Sequence, residues 1–297
     1  MKRWALRDRI ARRVGHFLGI SDLFDAVQAF DDHLRLLAEQ LKRRGEDIED
    51  LQSQASVWAT MARFELERVS EGECVSVVLA TRNRVDLLSR AIDSVIEQTY
   101  SRWQLVVVDD GSDDATPALL ARFDDPRVTV VRQDHLGVSS ARNAGLDRAV
   151  GDYVAYLDDD NVMHPDWLGV VAWAFDRFPK TGVVLGGRII DDWNRAIGGL
   201  PGSNARLQIP IFDRAALTHA NIADVGTIAH RRALPEAHFD DELTALEDWD
   251  LLLRLTNDHP PLMIPAIACL YTTTAPGRLS DLGLDAENRR RVRNKVD

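Results

Sequence analysis

Residues 103–114 read WQLVVVDDGSDD. A short apolar run rich in valine ends abruptly in acids, a glycine and a serine. That is the pattern of a buried strand running into a turn. Upstream, VSVVLATRNR (75–84) repeats it, ending in Thr81-Arg82-Asn83-Arg84. Residues 85–98, between the two, carry apolar positions at helical spacing. Downstream the order continues: helix over 116–123, strand over 128–131, helix over 138–150, strand over 153–157, helix over 165–178. Alternation of this kind predicts an α/β fold, a Rossmann-like, mostly parallel sheet sandwiched by helices. Ligands of such sheets bind at the carboxyl ends of the strands, so the polar strand ends belong together.

Two of those ends are acidic: Asp109-Asp110-Gly111-Ser112 and Asp158-Asp159-Asp160-Asn161. As neighbours they would repel each other unless something cationic lies between them. A divalent cation, Mn²⁺ or Mg²⁺, bridging carboxylates to a diphosphate is the economical solution. Between the clusters, GVSSARNAG (137–145) opens a helix whose free N–H groups favour an anion. Arg142 on that helix is suited to a phosphate. The chain carries a formal net charge of -11, which excludes generic nucleic-acid binding.

The rest of the chain is less regular. Residues 1–20 form a basic amphipathic segment suited to peripheral membrane contact. Residues 21–70 read as a helical extension. Phe30, Leu37, Leu51 and Trp58, with Leu34, Leu41, Ile48 and Ala55, follow the 4–3 spacing of a coiled coil, interrupted at Arg44-Gly45. A homodimer through 22–69 is expected from it. The catalytic unit spans 71–275, split into a nucleotide half (71–178) and an acceptor half (179–275). In the second half, 183–190 and 262–271 read as strands, 192–210 as a loop and 244–256 as a helix. Residues 276–297 read as a solvated basic tail. Cys74 and Cys269 have no metal-ligand spacing and suit a reducing compartment. Without a signal-peptide core or an apolar run of roughly 20 residues, a cytoplasmic protein is expected.

The stretches VSVVLATRNR, WQLVVVDDGSDD, GVSSARNAGL and YVAYLDDDN together resemble the nucleotide-binding half of a family 2 glycosyltransferase with the GT-A fold. Later, LEDWDLLLRL (246–255) is similar to that family's acidic catalytic motif. The resemblance implies an inverting, metal-dependent transfer of sugar from a nucleoside diphosphate sugar, UDP-linked in the first instance, to an unidentified acceptor. It places Asp110, with Asp109 beside it, at the base. Thr81 and Arg82 cradle the nucleotide, and Arg142 approaches the diphosphate. Asp158 and Asp160 form the DxD pair, Asp160 as direct metal ligand, and Asp158 or Asp159 faces the ribose or a metal-bound water. Asp248 matches the general base, with Glu247 next to it. Trp249, His230 and Trp193 are the candidates for the acceptor side.

Two features depart from the family. No QxxRW motif follows Asp248, which argues against a processive synthase. YTTTAPGRLS (271–280) lacks the histidine that many relatives contribute to the metal. Two other functions compete: nucleotidyl transfer onto a sugar phosphate, and a catalytically silent dimeric scaffold. The first needs a Gly-rich phosphate loop where this chain has TRNRVD, and the intact acidic motifs argue against the second.

Overall fold

The computed structural model describes residues 72–191, 206–273 and 285–295. The amphipathic segment 1–20, the helical extension 21–70 and Trp193 lie outside them. In chain order the strands are β1 (Val75–Thr81), β2 (Trp103–Asp110), β3 (Val128–Gln133), β4 (Tyr153–Tyr156), β5 (Val162–Met163), β6 (Val183–Asp191), β7 (Arg206–Gln208), β8 (Ile228–Arg231) and β9 (Leu262–Thr272). The helices are α1 (Val85–Ile96), α2 (Thr116–Leu120), α3 (Val138–Leu146), α4 (Trp167–Arg177), α5 (Arg214–Leu217), α6 (Glu247–Leu255) and α7 (Asp285–Arg293). The strands form one sheet in the order β3-β2-β1-β4-β8-β6-β9-β5, with β7 paired to β6.

The nucleotide half is parallel as expected: β1 pairs in parallel with both β2 and β4, and β2 with β3. The sheet as a whole is not mostly parallel but mixed. β8, only four residues long, inserts antiparallel between β4 and β6. A parallel strand needs a crossover connection of a dozen or more residues, usually a helix. The described chain ahead of β8 offers only the short α5 and a 3-10 turn at Val225–Thr227. β5 and β7 also run antiparallel to their neighbours, and Arg206–Gln208 is strand where the sequence suggests loop.

Both faces of the sheet are covered. Val75, Val77 and Leu79 of β1 face Leu88, Ala91, Ile92 and Val95 of α1 and the nearly all-apolar α4. Val78, one strand position out of phase, faces the opposite core with Tyr156 and the α6 residues Trp249, Leu251 and Leu252. At roughly 25 cal/mol per Å² of apolar surface, each fully buried Leu, Ile or Val contributes about 2 kcal/mol. Within the expected basic tail, residues 285–295 are docked on the core rather than solvated. α7 buries Val292 completely in the α6-side core. No helix among the described residues is long and apolar enough to cross a membrane.

Candidate active site

The carboxyl ends of β1, β2 and β4, the start of α3 and the start of α6 converge on one cavity of about 600 Å³. Thr81, Arg82, Arg84, Asp110, Arg142, Asp158, Asp159, Asp160, Glu247 and Asp248 all line it.

The strand-end turns are built to hold a fixed shape. Asn83 takes a left-handed backbone conformation, φ 54°. Its amide donates to Ser112 Oγ at 2.9 Å, and its side-chain oxygen accepts from the Asp113 amide at 2.9 Å. The first turn therefore clasps the second. Gly111 sits at φ 75°, and a Cβ there would lie 2.8 Å from the His135 nitrogen, so only glycine fits.

The two neighbouring acids of β2 part company. Asp110 accepts four hydrogen bonds: from Gln133 Nε2 (2.7 Å), His135 Nδ1 (2.8 Å), and the Leu136 and Gly137 amides (2.9 Å each). Burial opposes its charge, but these donors outweigh burial and hold its pKa below the ordinary carboxylate value. Asp110 thus fixes the loop that launches α3. Asp109 does not line the cavity. It accepts from the Ser112 amide at 2.9 Å and lies 3.5 Å from Arg132.

At the β4 end, Asp159 accepts from Thr81 Oγ1 at 2.7 Å, and Arg84 lies 3.8 Å away. Burial pushes its pKa up to about 6, against the opposing pull of Arg84 and Thr81. Asp158 accepts from Arg142 Nη2 at 2.7 Å, and Arg142 Nη1 donates to Glu247. The guanidinium is buried, and it packs 5.3 Å from the Phe239 ring centroid. Burial opposes its charge, yet Glu247 and Asp158 outweigh that and raise its pKa further. Arg142 therefore ties α3 to the ends of both halves.

α6 starts at Glu247, three residues later than the sequence suggests, because Leu246 is left-handed at φ 62°. For a bulky side chain this is a strained backbone position, of the kind concentrated at functional sites. Asp248 follows at the cavity wall. Burial first, then Glu247 and Asp224, raise its pKa, opposed by Arg142 and by the Trp249 amide.

The far wall comes from residues the sequence left unassigned. Asp224 accepts from the Gly226 amide at 3.1 Å and pairs with Arg188 at 3.1 Å. Arg188 stacks 4.3 Å from the Tyr271 ring centroid and donates to Gln208 Oε1 at 2.9 Å. Burial and Asp158 raise the Asp224 pKa, against Arg188. An acid set in the apolar run Ile222-Ala223-Asp224-Val225 was the available signal. Of the expected acceptor residues, Trp249 and His230 do not line the cavity, and Trp193 lies outside the described residues. Trp249 is fully buried, its Nε1–H donating to Leu217 O at 2.6 Å. His230 is fully buried too, accepting from the Tyr156 hydroxyl at Nε2 (2.6 Å) and donating from Nδ1 to Arg231 O (2.9 Å).

Seven carboxylates and four guanidinium groups line the cavity. That negative excess fits a cation. Among the described residues, no three His, Cys, Asp or Glu side chains are grouped to hold one by themselves. The donor set therefore fits an ion that takes most of its ligands from a bound diphosphate and water, as Mg²⁺ commonly does.

The family model for glycosyl transferase family 2 matches residues 76–232. The succinoglycan biosynthesis protein ExoO of Rhizobium meliloti is 34% identical over 195 residues, 60% of this chain and 54% of that protein. The chain thus spans about half the length of this curated relative. Among solved structures, the mannosyltransferase PcManGT from Pyrobaculum calidifontis in complex with GDP-Man and Mn²⁺ superposes with a TM-score of 0.57 at 20% identity, over 81% of this chain and 70% of that one. S. aureus TarS 1-349 in complex with UDP-GlcNAc gives 0.55 at 20% identity, over 69% and 60%. These likenesses show the same α/β GT-A-like architecture, and the chain belongs to glycosyl transferase family 2.

Proposed function

We propose that this protein moves a sugar from a nucleoside diphosphate sugar, a UDP-sugar in the first instance, to an acceptor of unidentified class, with inversion at the anomeric carbon. The observation that carries this reading is the meeting of three strand ends, the α3 start and the Glu247–Asp248 pair in one cavity. Thr81, Arg82 and Asp110 take the nucleoside, and Asp158 and Asp159 the ribose side. Asp160, with Asp158 beside it, is the protein's share of a Mn²⁺ or Mg²⁺ site. The PcManGT structure is a complex with both GDP-Man and Mn²⁺, which supports a cation here.

Glu247 is engaged by Arg142, so the base role falls to Asp248. Its raised pKa suits a base working near neutral pH. The acceptor O–H attacks the anomeric carbon opposite the diphosphate while Asp248 takes the proton. The bond to the diphosphate oxygen breaks, and its electron pair leaves with the nucleotide. A bound divalent cation supplies charge neutralisation at that leaving diphosphate. A single displacement with one base inverts the centre. Arg142 acts by holding Asp158 and Glu247 in place. Asp109 braces the β2 turn. The acceptor wall is Arg188, Gln208, Asn221 and Tyr271 in place of Trp249 and His230.

The test is a donor screen with Mn²⁺ or Mg²⁺, run without acceptor and then with a cell extract. Release of nucleoside diphosphate is expected. Release of pyrophosphate would replace sugar transfer by nucleotidyl transfer.

A further inference from the structure

The segment 239–246 that delivers Glu247 and Asp248 contains neither helix nor strand. It enters α6 through the strained Leu246, and no side chain caps that helix start. Its position must come from tertiary contacts, and these arrive from two sides.

One side is α3. Ser139 Oγ donates to Leu243 O at 2.9 Å. Asn143 exchanges two bonds with the Phe239 backbone, 2.9 and 2.8 Å, and Arg142 holds Glu247. The other side is the C-terminal helix α7. Asn288, 4% exposed, accepts from the Thr244 amide at 3.2 Å and donates from Nδ2 to Thr244 Oγ1 at 3.1 Å. One turn on, Val292 is buried in the core beneath α6. Arg291 reaches Glu242 O at 3.2 Å. Lys295 bridges Asp240 to the buried Asp250 of α6, 2.8 Å from the latter.

We propose that α7 is a clamp that sets the catalytic geometry, with Asn288 as a positioning residue acting through Thr244 on Glu247 and Asp248. This rests on the reading of Asp248 as the base. Thr81 bonds to Asp159, and Asp110 to Gln133, His135, Leu136 and Gly137, all on the nucleotide half and away from α7, so clamp and nucleotide site separate. Loosening the clamp leaves the nucleotide bound and misplaces the base. A misplacement of about 1 Å costs about 100-fold in rate. Asn288→Asp keeps the clamp, because a carboxylate there accepts from both the Thr244 amide and the Thr244 hydroxyl.

The experiment uses the full chain with Asn288→Ala, Asn288→Asp and Asp248→Asn. Turnover is measured on whichever of UDP-glucose, UDP-N-acetylglucosamine and GDP-mannose the wild type consumes fastest. Affinity for the corresponding nucleoside diphosphate with Mn²⁺ is measured by calorimetry, and exchange of the 239–248 amides by mass spectrometry. All assays are run well below each variant's unfolding temperature. Asn288→Ala is expected to lose about 10- to 100-fold in kcat. Its nucleotide affinity should stay within about twofold and its 239–248 amides should exchange faster, while Asn288→Asp recovers most of the rate. Wild-type kcat in Asn288→Ala, or a parallel loss of kcat and nucleotide affinity, overturns the clamp. An inactive Asp248→Asn beside a normal Asn288→Ala removes the clamp alone. An active Asp248→Asn removes the base on which the clamp depends.

Discussion

In residues 75–178 each site residue sits within a few positions of a strand end or opens the helix that follows, and the parallel sheet gathers them by topology. In residues 179–273 the site residues arrive on the mixed strands β6, β7 and β9, a loop, a 3-10 turn and the start of α6, and ion pairs and side-chain bonds hold them. The first half is positioned by backbone, the second by charge. Arg142 is where the two meet. A buried ion triad fails when one member is removed.

Four substitutions sharpen or break that contrast. Asp160→Ala is expected to lose Mn²⁺-dependent nucleotide binding and about 100-fold or more of turnover, read by calorimetry with and without metal. Arg142→Ala removes the link between the halves and leaves buried Glu247 uncompensated. It is expected to destabilise the fold by about 3–5 kcal/mol in denaturant titration, discounted toward the lower figure because Asp158 is partly exposed. Asp110→Ala strips the acceptor from Gln133 and from two loop amides. A loss of about 1–3 kcal/mol is expected, with weakened nucleotide binding. A milder nucleotide effect is expected from Asp109→Asn, because Asp109 faces away from the cavity. An equal effect would erase the distinction between the two acids.

The last effect is on pH dependence. Burial lowers the His230 pKa to about 4, from an ordinary 6.5. Between those values the unfolded chain binds the extra proton and the folded one does not. Stability therefore falls as pH drops from about 6.5 toward 4, by at most about 3 kcal/mol from this group. His230→Gln should flatten that part of the melting-temperature profile. An unchanged slope would assign acid sensitivity to other groups.

The sequence could place Thr81, Arg82, Asp110 and Asp158 to Asp160 because a strand end announces itself as apolar residues giving way to polar ones. It also put Asp109 beside Asp110, and Asp109 does not line the cavity. Successive strand residues face opposite sides, and which phase faces the ligand is set by the sheet. The same problem on a helix misplaced Trp249: one residue past Asp248, it turns about 100° into the core. Arg188 and Tyr271 had no clean periodicity to betray them, since the β6–β9 register shifts between Leu185 and Arg188, while Gln208 sits on a three-residue strand and Asp224 at the start of a 3-10 turn. The docked α7 was hidden by its composition. An arginine-rich helix reads as solvated, and only Asn288 and Val292, four apart, mark its buried face.

The most direct test is single-turnover sugar transfer by Asp248→Asn, with donor and Mn²⁺ already bound. Donor affinity is expected to match the wild type, because the nucleotide half is intact. The transfer rate should fall by about 100- to 10,000-fold, the usual contribution of a general base. In the wild type, the acid limb of the rate should lie above the ordinary aspartate value of about 4, with activity lost as pH falls through the raised pKa. Near-wild-type transfer by Asp248→Asn would contradict the assignment of the base and, with it, the catalytic meeting of the two halves.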